Sequence, residues 1–99
     1  MRLTEDQSQA IKQLAHQIAG EHAHVRVFGS RLDDSARGGD IDLLLELPDP
    51  VANPALMVAR FSARVSRLML GRKVDVLIAA PNLMRLPIHD IAFKEGKAL

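Results

Sequence analysis

FGSRLDDSARGGDIDL, residues 28–43, decides how this chain is read. An apolar run closes at Gly29 and Ser30. Nine residues later Asp40 and Asp42 open a second apolar run with one isoleucine between them. Residues two apart on a strand point the same way, so both carboxylates belong to one side. The run from Asp40 to Leu47 reads as a strand with Ile41, Leu43, Leu45 and Leu47 on one face. Asp40, Asp42, Leu44 and Glu46 take the other. A lone carboxylate on a covered strand is expensive to bury, and two adjacent ones repel unless a cation sits between them.

Outward from this stretch the elements alternate. Upstream, HVRVFGS is a short β-branched strand ended by a sharp turn. Before it, residues 4–20 predict a helix. Thr4 and Gln7 have capping-box spacing, Ile11, Leu14, Ala15 and Ile18 follow at helical intervals, and Gly20 is the stop. Residues 31–39 are polar and Gly-rich, with room for one helical turn and a loop. Downstream, Pro48 and Pro50 close the second strand. Asn53 and Pro54 suit an N-cap and first helical position, and Met57, Phe61, Val65 and Leu68 form the stripe of a helix ending near Gly71. RKVDVLIAAP is a third strand, with Val74, Val76 and Ile78 on one face and Asp75 and Leu77 on the other. Residues 87–95 predict a short helix between Pro87 and Gly96. One domain over residues 1–99 is expected, with no repeat or linker.

Composition narrows the function. A hydrophobic content of 47% argues against disorder. Three Phe and no Trp or Tyr leave little for base stacking, and a net charge of +1 is no electrostatic footprint for nucleic acid. Direct nucleic-acid binding is therefore not expected. The absence of cysteine excludes disulfides and thiolate metal sites. No segment has transmembrane length and the N-terminus lacks a signal-peptide core, so a cytoplasmic protein without membrane contact is expected.

If the third strand lies beside the second, Asp75 joins Asp40 and Asp42 in one hard-oxygen cluster suited to Mg²⁺ or Mn²⁺. Two such ions can clamp the attacking and leaving oxygens of a phosphoryl or nucleotidyl transfer. The Gly29-Ser30 turn supplies a complementary phosphate cradle. Glycine lets backbone approach closely, Ser30 donates a hydroxyl, and Arg31 offers a planar cation. Taken singly, each feature has a plainer role. Asp40 suits a turn after Gly-Gly, Asp75 an edge-strand charge paired with Arg72 or Lys73, Gly29-Ser30 a bare turn, and Arg31 a solvated cation. Their order on successive strands is what favours one site.

FGSR, DIDLLL and KVDVLI together resemble the nucleotidyltransferase superfamily of the DNA polymerase β type, and within it the minimal nucleotidyltransferase (MNT) group. The resemblance spans nearly the whole chain. It implies an α+β nucleotidyltransferase fold, a small mixed sheet with helices mainly on one face. It also implies ATP as substrate with two Mg²⁺ ions. By carry-over, Asp40, Asp42 and Asp75 are the catalytic, metal-binding carboxylates, with Asp75 also helping to deprotonate the acceptor. Gly29, Ser30 and Arg31 would hold the nucleotide. Such proteins commonly serve as antitoxins to a HEPN-domain RNase, some by AMPylation of a tyrosine on that toxin. Gly39 stands where relatives often carry Ser, the loop of nine residues is one shorter than in many, and Asp33-Asp34 follow the motif Arg. The alternatives are an antitoxin that neutralises by complex formation alone, and a nucleotide-binding subunit completed by a second chain.

The remaining features are quieter. Arg60, Arg64 and Arg67 share one helical face, read first as solvated. His22 and His24 suit a surface, and the four histidines show no ligand spacing. Met57, Met69 and Met84 suit gap filling. Ile88, Ile91, Ala92 and Phe93 give the last helix more apolar surface than a short element can hide.

Overall fold

The computed structural model of the chain describes residues 3–29 and 41–99. Among the described residues, three helices and four strands follow in the order α1 (Glu5–Ala19), β1 (His24–Phe28), β2 (Ile41–Glu46), α2 (Pro54–Leu68), β3 (Val74–Ala79), α3 (Pro87–Glu95) and β4 (Lys97–Ala98). The strands form one sheet in the order β3-β2-β1-β4. β1 runs antiparallel to β2 and β4, while β2 and β3 are parallel, joined through α2. The class is α+β with a mixed sheet, as expected.

The helix ends form as the sequence predicts. Thr4 Oγ1 accepts from the Gln7 N–H at 3.1 Å, and the Gln7 side chain accepts from the Thr4 N–H at 2.9 Å. Asn53 Oδ1 accepts from the Leu56 N–H at 3.1 Å, with Pro54 opening α2. The far end of α2 closes in a Schellman arrangement: the Gly71 N–H donates to Ser66 O and the Leu70 N–H to Arg67 O. Leu70 takes the left-handed position at φ 61, where glycine is usual, and is 96% exposed.

Alternation along the strands divides the core in two. Ile41, Leu43, Leu45 and Leu47 join Val25, Val27 and Ile78 beneath Ile11 and Ala15 of α1 and Phe61, Val65 and Met69 of α2. On the reverse face Phe28 and Leu44 are sealed by Ala92 of α3, with Leu77, Ala79 and Phe93 packed around them. Two of the three helices therefore lie on one face. Leu44, grouped by sequence with the charged residues, does face their way but is fully buried by α3. The stripe expected on α2 needs one correction. Leu68 is 38% exposed, and Met69, at the C-cap, fills the core instead.

Further contacts were not foreseen. β4 adds two residues to the free edge of β1, pairing Lys97 with Val27 and Ala98 with Arg26. Gly96 permits it, because a Cβ there would strike the Ala92 carbonyl oxygen and crowd that of Val27. His89 is buried, and its Nδ1 accepts from the Leu86 N–H at 3.0 Å. Its Nε2 lies 3.0 Å from Ile78 O, so Nε2 carries the proton and the ring ties α3 to β3. Asn82 donates to Val51 O and accepts from Val51 N–H, both at 2.9 Å, clipping the loop after β2 to the loop after β3. Among the described residues, no helix is long and apolar enough to cross a membrane.

Candidate carboxylate site

Strand directions bring the expected residues to one end of the sheet. β1 ends where its antiparallel neighbour β2 begins, and β3 starts at the same end because it is parallel to β2. Phe28 therefore pairs with Asp42, Gly29 follows directly, and Asp75 lies in register beside Asp42. Neighbouring strands are about 4.8 Å apart, so two in-register side chains on one face stand abreast. The sequence left the neighbourhood of the second and third strands conditional. Their parallel pairing places Asp42 and Asp75 together on the α3 side of the sheet.

Gly29 is fitted to this pair. Its φ of +72 is one that side chains resist. The space a Cβ would take is filled by the Asp42 carboxylate, with Oδ2 foremost. Glycine here lets the carboxylate lie against the turn, so any larger residue must displace it. Asp42 is half-buried and Asp75 exposed. Among the described residues β3 is the edge of the sheet, so the site is open on that side.

The pair suits a divalent cation in its chemistry. Mg²⁺ is held by one or two carboxylates, with waters and substrate phosphates completing its shell. Asp42 and Asp75 supply two hard oxygen donors from rigid strands. Among the described residues, no group of three or more such ligands is gathered. Asp40, Ser30 and Arg31 lie outside the described residues, as do Asp33, Asp34 and Gly39. Of the six residues expected at the site, the structure brings together Gly29, Asp42 and Asp75.

Hollows lie at the opposite end of the sheet. One of about 320 Å³ lies between the end of α1 and the loop after β2, bordered by Gly20, Pro48, Asn53 and Arg60. Another, of about 310 Å³, lies under Arg85, His89 and Phe93. Phe93 is bracketed by two guanidinium groups, Arg85 at 4.6 Å and Arg26 at 5.4 Å from the ring centre. Arg85 Nε also meets Asp90 Oδ1 at 2.6 Å. These contacts fasten α3 and carry none of the carboxylates of the site. Sequence reasoning missed both His89 and Asn82. The only signals were a histidine at the third position of a Pro-started helix and an Asn after a strand-ending Pro, and each is common in ordinary turns.

In comparisons with known proteins, no family model and no curated sequence matches this chain.

Proposed function

We propose that the chain is a metal-dependent nucleotidyltransferase that moves AMP from ATP to a protein hydroxyl. In the role its motifs resemble, it would be an antitoxin acting on a tyrosine of a HEPN RNase. The observation that carries this reading is the in-register pair Asp42 and Asp75, with Gly29 packed against the Asp42 carboxylate. Two carboxylates abreast near the sheet edge repel each other, and a cation shared between them would offset that repulsion. The bound cation would neutralise the pair and draw phosphate oxygens to it.

The residues of the chain then divide the work. Asp42 and Asp75 would hold the cation, whose positive charge would fix the triphosphate end. Gly29 keeps the turn close to Asp42, leaving backbone free to approach a phosphate. Asp75, exposed at the sheet edge, can reach an acceptor hydroxyl and take its proton. The acceptor oxygen bonds to the α-phosphorus as the bond to pyrophosphate breaks. Positioning and charge neutralisation supply most of the acceleration.

The test is incubation of the purified chain with α-labelled ATP, Mg²⁺ and the candidate partner. Label should pass to the partner, and Asp42→Asn or Asp75→Asn should slow transfer by about 10²-fold or more. Transfer that survives both substitutions together would sink the reading. A double variant that transfers no label yet still neutralises the toxin in cells would leave complex formation as the antitoxin mechanism.

A further inference from the structure

α2 carries three arginines and no acidic residue. Arg60, Arg64 and Arg67 fall at i, i+4 and i+7 of α2, so they line one face over about 10 Å. All three are exposed, and none has an ion pair among the described residues. Like charges at this spacing repel along a helix. Arg64 and Arg67 overhang a groove of about 450 Å³ between α1 and α2. Its lining includes Leu14 and the exposed Leu68, together with Gln13 and Gln17 from α1, and no acidic residue.

We propose that this groove docks an acidic amphipathic helix of a partner protein. A helix laid in a groove anchors apolar side chains at i, i+3, i+4 and i+7, and Leu14 and Leu68 provide the apolar contact. Carboxylates on its flank would meet Arg64 and Arg67, whose planar guanidinium groups pair with them in two-point fashion. Charge complementarity selects this occupant over two others. A second copy docked symmetrically here would set the arginine row against itself. A nucleic acid would match the charge, but it gains nothing from the leucines, and the groove has no aromatic to stack on. The groove lies on the α1–α2 face of the sheet, the face opposite the one that carries Asp42 and Asp75. The proposal stands whether or not the chain transfers nucleotides.

A fluorescein-labelled helical peptide of about sixteen residues, with leucines on one face and glutamates on the flanks, is the probe. Anisotropy at low salt should give a saturable Kd of about 10–100 µM that weakens as salt rises. The Arg64→Glu, Arg67→Glu double variant should bind at least about tenfold more weakly with an unchanged melting temperature. Amide shifts in the labelled protein should centre on Leu14, Gln17 and Leu68. Any of the following would overturn the proposal: no saturable binding by millimolar peptide, equal binding of the same peptide with lysine in place of glutamate, undiminished binding by the double variant, or stronger binding of single-stranded RNA to the same residues. A dimer seen by light scattering that Arg64→Glu abolishes would overturn it in favour of self-association.

Discussion

The two faces of the sheet are built on different scales. On one, two fifteen-residue helices bury a continuous core in which Ile11, Ile41, Leu43, Leu45, Phe61 and Val65 are fully enclosed. On the other, nine-residue α3 seals a small cluster around Phe28, Leu44 and Ala92. That second face also carries the charge: Asp42 and Asp75 at one end, Arg26 and Glu46 toward the other. A short helix covers the middle of the strands and leaves Asp75 exposed. The fold thus draws most of its stability from the α1–α2 face, and the thinner face leaves Asp75 exposed at its end.

That division can be broken by experiment. Phe61→Ala, in the thick core, should cost about 3–5 kcal/mol in urea unfolding, enough to threaten a domain of this size. On the thin face the largest single tie is His89. His89→Ala leaves the Ile78 carbonyl and the Leu86 N–H without their ring partner and should cost about 1–3 kcal/mol. Hydrogen exchange should then quicken in α3 and β4 while α1 and α2 stay protected. Equal losses from the two substitutions, or loosening that spreads to α1, would show that the faces are one cooperative unit with no division of labour.

The thick face was also the legible one. Period-two alternation in Ile41, Leu43, Leu45 and Leu47, and helical spacing in Ile11, Ala15, Phe61 and Val65, mark the same residues that the structure buries. Capping chemistry at Thr4 and Asn53 set both helix starts. Where reading failed, the cause was an interaction between distant segments. Leu44 looks like a polar-face residue until α3, more than forty positions later, covers it. Lys97 and Ala98 are too few to show a period, and only the free edge of β1 makes them a strand. His89 is structural because Ile78 O lies above it, a relation that spacing does not encode. At the site, Asp42 and Asp75 were legible as same-face residues of two strands. Their adjacency depended on β2 and β3 being parallel neighbours, which the sequence left as a condition.

The smallest expected effect bears on the pair most directly. Asp75→Asn removes one of two like charges at an exposed edge, so without divalent cation it should stabilise the fold by only about a few tenths of a kcal/mol. Mg²⁺ separates a binding pair from a merely crowded one. A cation held by both carboxylates stabilises the native state by mass action, about 0.6 kcal/mol at twice its Kd, which is about 3–5 °C in melting temperature. Screening alone would also relieve the repulsion, and it acts through ionic strength whatever the ion. The comparison is therefore Mg²⁺ against Na⁺ at matched ionic strength, in the parent chain and in Asp75→Asn. The parent should gain stability from Mg²⁺ beyond the Na⁺ control, and the variant should respond to both salts alike. If the parent also fails to distinguish the two salts, Asp42 and Asp75 are neighbours by register alone, and the open end of the thin face holds no cation without nucleotide.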